Sequence, residues 1–234
     1  MTGKPLSEVN KNLLILHFTV FIWGFTGILG ALISIGAVQM VWYRVMIASI
    51  TLFIYFKVSG LNLKVSSTQF LQFFFTGAIV ALHWILFFGA IKASTVSVTL
   101  VCLSSFTLFT AILEPMIKKT ALQAGDIFIG LIIILGIYLI FKFESHYTQG
   151  IILGLSAAGA ASLFSIINSN FAKKSDARVI GFYELSGAFF WITIYRLLDK
   201  SLLRESFNLS VSDWVICSFL ARFALLWLIS QVSL

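Results

Sequence analysis

The chain has 234 residues, of which 59% are hydrophobic and only 11% charged, with 24 Phe and 2 Pro. Its mean hydropathy is +1.01. Soluble domains are about 45–50% apolar and about 25% charged. A single core of this size cannot bury so much apolar surface, which excludes a soluble enzyme, a disordered chain and a nucleic-acid module. The composition fits an all-α, polytopic membrane helix bundle. The pattern speaks against an outer-membrane barrel, since barrel strands alternate in segments of about 10 residues and the apolar runs here are about twice as long. The net charge of +7 is read as basic residues that set membrane orientation, not as a nucleic-acid footprint.

In chain order, apolar runs predict helices over Asn12–Ile33, Gln39–Phe56, Phe70–Ala90, Thr95–Met116, Leu122–Phe141, Gly150–Phe171, Val179–Tyr195 and Trp214–Val232. Each is near the ~20 residues that cross ~30 Å of hydrocarbon, and only helices satisfy every backbone polar group there. The first run is too long for a signal peptide and no A-x-A site follows it. With the N-terminus in the cytoplasm, the inside segments through the entry of the seventh helix carry Lys4, Lys11, Lys57, Lys64, Lys118, Lys119, Lys173, Lys174 and Arg178. The outside loops over the same stretch carry Lys92 and Lys142, so basic residues lie inside. The segment Arg196–Asp213 departs from that trend, with Arg196, Lys200 and Arg204 outside.

The chain also aligns weakly on itself. Gln39–Arg44 falls on Val179–Glu184, and Leu61–Ser66 falls on Phe207–Ser212, at equivalent places relative to the helices. A unit of five helices has an odd number of spans, so a second copy runs through the membrane in the opposite sense, a recurrent plan in secondary transporters.

Several segments then resemble a known family. They are Phe21-Ile22-Trp23-Gly24-Phe25, Trp42-Tyr43-Arg44-Val45-Met46-Ile47-Ala48, Gly89 through Val98, Leu113-Glu114-Pro115, and the Gly-punctuated stretch Gly130–Tyr138. In their order and spacing they resemble the EamA-like branch of the drug/metabolite transporter superfamily. The resemblance implies two five-helix repeats around a cavity for a small metabolite. Residues 1–141 then form the first repeat and residues 148–234 a partial second one, since eight helices stand where family members have ten. Apolar positions of the family are departed from at Arg222, and the linker Ile117–Asp126 is less acidic than usual. These departures imply a truncated or naturally incomplete second repeat.

Ionisable groups inside a bilayer are functional suspects, because burying them costs at least ~2.5–3.5 kcal/mol. Arg44, about five residues into its helix, suits a substrate carboxylate through its planar fork, with Trp42 and Tyr43 as aromatic walls; otherwise it snorkels to the interface. Glu184, its repeat partner beside Tyr183, can bind a substrate or load a proton; otherwise it makes a structural hydrogen bond or meets Lys173, Lys174 or Arg178. His83, next to Trp84, can line a permeation path or simply pack. Trp23 and Trp84 are cavity walls or packing residues. On the fourth helix Ser97, Ser104, Thr107 and Glu114 share one face, with Ser104 the candidate cavity contact and Pro115 expected to stop or kink the helix. Asn168 and Asn170 are weaker suspects. Gly24, Gly27 and Gly30, and Gly150, Gly154 and Ala158, mark close helix approaches.

The candidate substrate-binding set is therefore Arg44, Tyr43, Trp42, His83, Trp84, Ser104, Glu184 and Tyr183. No nucleotide motif, C-x-x-C or His/Cys cluster is present, and Cys102 and Cys217 sit in apolar runs, so no cofactor, metal or disulfide is expected. The expected function is a secondary transporter, an exporter, of small organic metabolites, amino-acid-like solutes among them, in the cell's inner or plasma membrane. The alternatives are an inactive or subunit-like transporter fragment and an integral-membrane lipid enzyme. The expected partners are the small-molecule substrate and the lipid bilayer, with no nucleic acid. A homodimer is a further possibility, because Arg222 needs the bundle or a second copy of the chain around it.

Overall fold

The computed structural model describes residues 13–14, 17, 21, 24–121, 124–199 and 209–230. Trp23, Arg204, Glu205 and the side chain of Arg222 lie outside the described residues. Among the described residues the regular structure is all helical, with nine α-helical segments. These are α1 (residues 24–32), α2 (Ala37–Ser59), α3 (Ser67–Ala93), α4 (Val96–Leu103), α5 (Phe106–Lys118), α6 (Ala124–Phe143), α7 (Thr148–Phe171), α8 (Ala177–Leu198) and α9 (Val211–Ser230), with a short 3-10 turn at Ser145–Tyr147.

Local sequence sets the ends of these helices. Ser66 and Gln69 form a reciprocal capping box at the start of α3, Thr95 caps α4 through the Val98 amide, and Asp176 caps α8 through the Arg178 amide. Gly60 ends α2 in the left-handed region at φ 62°. Lys119 ends α5 in the same region at φ 55°, the one positive φ away from glycine among the described residues.

One expectation about the fourth helix is corrected. The run expected as a single helix over Thr95–Met116 breaks at Ser104–Ser105, and Pro115 lies inside α5 without stopping it. Both serines bend the chain by back-bonding. Ser104 Oγ donates to the Val101 carbonyl and Ser105 Oγ to the Cys102 carbonyl, each at 2.6 Å. Hydroxyls that compete for helix carbonyls bend helices in this way. Pro115 has no N–H to donate to the Ala111 carbonyl, yet α5 continues past it to Lys118, where Thr120 N donates to the Pro115 carbonyl and closes the end.

The core is built around α3. Along one side it runs antiparallel to α7, with Phe73 against Phe171, His83 against Ala157, and Gly150 of α7 against Ala90 and Ser94. Along another side it runs parallel to α8, with Phe70 against Tyr183, Gly77 against Glu184 and Ala188, and Phe74 against Gly187 and Trp191. A Cβ on Gly77 would collide with the Glu184 carbonyl oxygen, and one on Gly187 would lie 2.5 Å from the Phe74 carbonyl oxygen. The two backbones therefore touch through paired glycines, the small-residue approach by which helices associate in lipid. α2 runs antiparallel to α8, with Trp42 near Phe189 and Phe56 near Phe182, and α9 packs on α2. α4 and α5 pack on α7, and α6 meets the bundle mainly along α5, with Ile140 and Phe141 packed against the cluster of Val98, Cys102 and Ile151.

Five described stretches are long and apolar enough to cross a membrane: Ala37–Ser59, Ser67–Ala93, Val96–Lys118, Gly125–Phe143 and Ser145–Phe171. α8 has a comparable length of 22 residues but carries Arg178, Glu184 and Arg196, and it is sheltered between α2 and α3.

Candidate functional site

Arg44 lies in the second turn of α2, only 6% exposed. Its guanidinium carbon is 4.3 Å from the centre of the Trp84 ring and 5.7 Å from that of Phe88, four residues further along α3. Its Nε and Nη1 have no hydrogen-bond partner among the described residues. A cation–π contact is worth about 2 kcal/mol or more when desolvated. Burying an unpaired ion costs several kcal/mol. The aromatic faces therefore offset only part of that cost.

The neighbours of Arg44 in sequence complete an aromatic cluster. The Tyr43 ring packs edge-on against Trp42 at 5.0 Å and against Trp214 of α9 at 5.4 Å. Trp42 Nε1 donates to Thr193 Oγ1 of α8 at 2.9 Å, and its ring carries the Arg196 guanidinium 5.2 Å from its centre. Two buried cations thus flank one cluster drawn from α2, α3, α8 and α9.

Two polar ties hold the start of α2 in place. Asp213, 2% exposed at the head of α9, accepts from the Ser34 amide at 3.0 Å, from Ser34 Oγ at 2.6 Å and from Ser210 Oγ at 2.7 Å. Lys92, at the end of α3, donates to the Ile33 carbonyl. The α1–α2 turn is therefore fixed from both α3 and α9, and with it the start of the helix that carries Arg44 about two turns later.

The other expected residues lie elsewhere. His83 and Trp84 diverge by the about 100° between successive helix positions. Trp84 meets Arg44, while His83 Nδ1 contacts the Ala157 carbonyl of α7 at 2.9 Å, between Phe87 and Phe164. Ser104 is exposed at the α4–α5 bend and bonded to its own helix. Ser97 and Thr107 are exposed too, and Glu114 pairs with Lys118 at 2.5 Å.

Glu184, 5% exposed, accepts from Asn168 Nδ2 of α7 at 3.0 Å. Tyr183 beside it donates to the Leu63 carbonyl at 2.7 Å and pins the α2–α3 connection. Glu184 is level with Gly77 on α3, whereas Arg44 is level with Trp84 and Phe88. Seven to eleven residues of helix separate those levels, or roughly 10–16 Å. The arrangement is two polar stations in one bundle, a cationic one under Trp84 and an acidic one beside Gly77.

Sequence reasoning passed over two buried polar residues here. Arg196 and Asp213 were counted as loop charges, yet the first lies in the last turn of α8 over Trp42 and the second anchors Ser34.

No curated protein sequence matches this chain. A solved crystal structure superposes on 95% of the chain and 78% of its own length, with a TM-score of 0.66 at 13% identity, a likeness of fold alone. The model of the EamA-like transporter family matches residues 10–142, which include α2, α3 and, within the aromatic cluster, Trp42, Tyr43, Arg44 and Trp84. With its apolar helices, the protein is a multi-pass membrane protein, and the chain belongs to the EamA-like transporter family, membrane transporters of small solutes.

Proposed function

We propose that the protein is a secondary carrier for small organic solutes bearing an anionic group, amino-acid-like solutes among them, with Arg44 as the anchor for that group. The observation that carries the reading is a buried guanidinium with two unpartnered N–H-bearing nitrogens inside an aromatic cluster. An arginine stays charged at any physiological pH and presents a fork that fits a carboxylate in two places. Trp84 and Tyr43 give such a site apolar walls, and Trp42 ties it to α8. The antiparallel pairing of α2 with α8, helices that hold equivalent places in the internal alignment, supports an inverted repeat, with residues 1–141 and 148–234 as its units. The export direction and a cytoplasmic N-terminus in an inner or plasma membrane rest on the family resemblance and on the distribution of Lys and Arg.

The test is flux in proteoliposomes with a radiolabelled amino-acid mixture as probe. Arg44→Lys keeps the charge and loses the fork, so it should raise the half-saturating concentration about tenfold or more, a loss near 1.4 kcal/mol. Arg44→Ala should abolish saturable flux. Wild-type saturation in both variants refutes the anchor. For orientation, single cysteines at Lys64 and Lys119 should resist an impermeant thiol reagent in intact cells, and ready labelling at both overturns the topology.

A further inference from the structure

We propose that Glu184 and Asn168 form a binding site for one proton, held in a closed ring of two hydrogen bonds between a carboxyl group and a side-chain amide. Its use in transport rests on the carrier reading above; the binding of the proton does not.

One half of the ring is already present. Asn168 Nδ2 donates to Glu184 Oε2 at 3.0 Å. The other two atoms of the same two groups, Glu184 Oε1 and Asn168 Oδ1, are both buried and both without a partner. Both are acceptors. An ionised carboxylate offers no donor, so ionised Glu184 leaves two acceptor oxygens unsatisfied in a dry site. A proton on Oε1 supplies one O–H, and that donor satisfies both orphaned atoms at once, Oε1 as its carrier and Oδ1 as its acceptor. The step forms one O–H bond on the carboxylate and breaks one in the water that delivers the proton, with no change of oxidation state.

The surroundings leave the carboxylate without a counter-charge. α7 carries no titratable side chain over Thr148–Phe171. On α3 the facing position is Gly77; His83 is turned to the Ala157 carbonyl and Lys92 to the Ile33 carbonyl. On α2, Arg44 lies under Trp84, Tyr43 packs on Trp214, Tyr55 receives Arg178 at 3.5 Å and Lys57 lies near Phe53. On α8 itself, Arg178 is bound to Asp176, Tyr183 to the Leu63 carbonyl, and Arg196 packs over Trp42. On α9, Asp213 is engaged by Ser34 and Ser210, and Cys217 is buried in the core. A metal cation such as Mg²⁺ or Ca²⁺ takes six or more oxygen ligands, whereas the two orphaned oxygens here match the needs of a single proton.

Asn168 is a positioning residue in this scheme. It has no proton to give up and instead makes the protonated form of its neighbour the satisfied one. The site sits close to the end of α8 opposite the Arg44 cluster, so a proton and an anionic solute would be held at separate stations of the same bundle.

Infrared difference spectroscopy on the purified full chain, in sodium-free buffer, tests the site directly. Wild type should show the carbonyl stretch of a protonated, hydrogen-bonded carboxyl that titrates with pH. Glu184→Gln should remove it, and its amide can donate to Asn168 Oδ1 and so preserve the fold. Asn168→Ala should shift the band to the higher frequency of a carboxyl that has lost its ring partner. A band that is absent in wild type, or that survives Glu184→Gln, overturns the proposal. A band abolished by adding sodium chloride but not choline chloride also overturns it, since a metal ion then holds the site. In proteoliposomes with the membrane potential clamped at zero, one pH unit can sustain at most about tenfold accumulation per proton. Wild type should accumulate the amino-acid probe toward that ratio, and Glu184→Gln should bring it to onefold. If the infrared result holds while wild type moves no probe, the carrier reading fails and the proton site stands.

Discussion

α3 and α6 are both long apolar helices, yet they meet opposite fates. α3 buries Phe73, Gly77, Ala81, Phe88 and Ala90 among α2, α4, α7 and α8. On α6 only Gly130 is buried among the described side chains, and Ile127, Phe128, Leu131, Ile132 and Leu135 are bare. Composition does not separate them, because lipid is as apolar as leucine and gives no hydrophobic drive for helix association. What separates them is what their small residues meet. Gly77 faces the backbone of α8, whereas Gly125 and Gly136 of α6 have nothing within 4 Å of where a Cβ would stand. An apolar run marks a span, and only a small residue opposite another backbone marks a packed span.

The sharpest way to break this comparison is to fill the glycines. Gly77→Leu or Gly187→Leu must push α3 and α8 apart, at or above the about 3 kcal/mol upper end of overpacking costs. Gly136→Leu should leave stability unchanged or slightly raised, since glycine costs about 1 kcal/mol in a helix relative to good helix formers. The readout is thermal exposure of the buried thiols Cys102 and Cys217 to a maleimide in detergent. Equal loss from Gly136→Leu would mean that α6 is packed as tightly as α3, and the contrast would fall.

A second change acts on the polar side of the packed region. Trp84→Leu keeps bulk on α3 but removes the ring under Arg44. The loss should be about 2 kcal/mol, the size of a desolvated cation–π contact. Restoring it with Trp84→Phe should return part of that, because phenylalanine offers a weaker face. The melting midpoint in detergent reads both, and indifference to either would mean that Arg44 is held by something other than the ring.

A third change acts at the head of α8, in the connection from α7. Asp176 accepts from the Arg178 amide and side chain, which holds its carboxyl below the usual range, the Arg178 side chain being the main cause. A carboxylate with a lowered folded value contributes stability that is full above the ordinary aspartate range and is lost as pH falls through that lowered value. Asp176→Ala should cost about 1 kcal/mol at neutral pH as a lost cap, toward the lower end because the pair is partly exposed. The difference from wild type should start to shrink as pH falls below the ordinary aspartate range and vanish once pH is below the lowered value of Asp176 itself. A difference that persists in acid would assign the effect to packing instead of charge.

Much of this architecture was legible from residues alone, and the failures have physical causes. Apolar length located the spans, since a bilayer fixes how long a helix must be. The break at Ser104–Ser105 is not legible in the sequence because it depends on the rotamers of two hydroxyls, while Pro115, the obvious breaker, lies inside α5, which runs on to Lys118. Within the site, Trp42, Tyr43 and Arg44 were singled out together because they adjoin in sequence, and Trp84 joined them as a neighbour of His83. Which of His83 and Trp84 faces Arg44 depends on the rotation of α3, which periodicity cannot set in a helix apolar on every side. Arg196 and Asp213 were read as loop charges because a charge count along the chain carries no information on burial. Asn168 was noted only weakly, since its partner Glu184 lies on the next helix and nothing in local spacing pairs them.

The smallest predicted effect lies on the boundary between the two regions, where α5 meets α7. Thr110 Oγ1 and Ser162 Oγ are 2.9 Å apart, and Ser162 is fully buried. Thr110 also donates to the Phe106 carbonyl at 2.8 Å, so its hydroxyl proton is spoken for and Ser162 must be the donor across the interface. Ser162→Ala therefore removes the donor, whereas Thr110→Val removes an acceptor together with the back-bond to the Phe106 carbonyl. Interhelical hydrogen bonds in membrane proteins average about 0.6 kcal/mol. A double-mutant cycle should return a coupling of that size, and Ser162→Ala alone should cost no more than about 1 kcal/mol. A coupling near zero would place α5 with α6 as a helix held to the bundle by shape alone. A coupling well above 1 kcal/mol would place α5 inside the packed region, and the boundary would then run between α5 and α6.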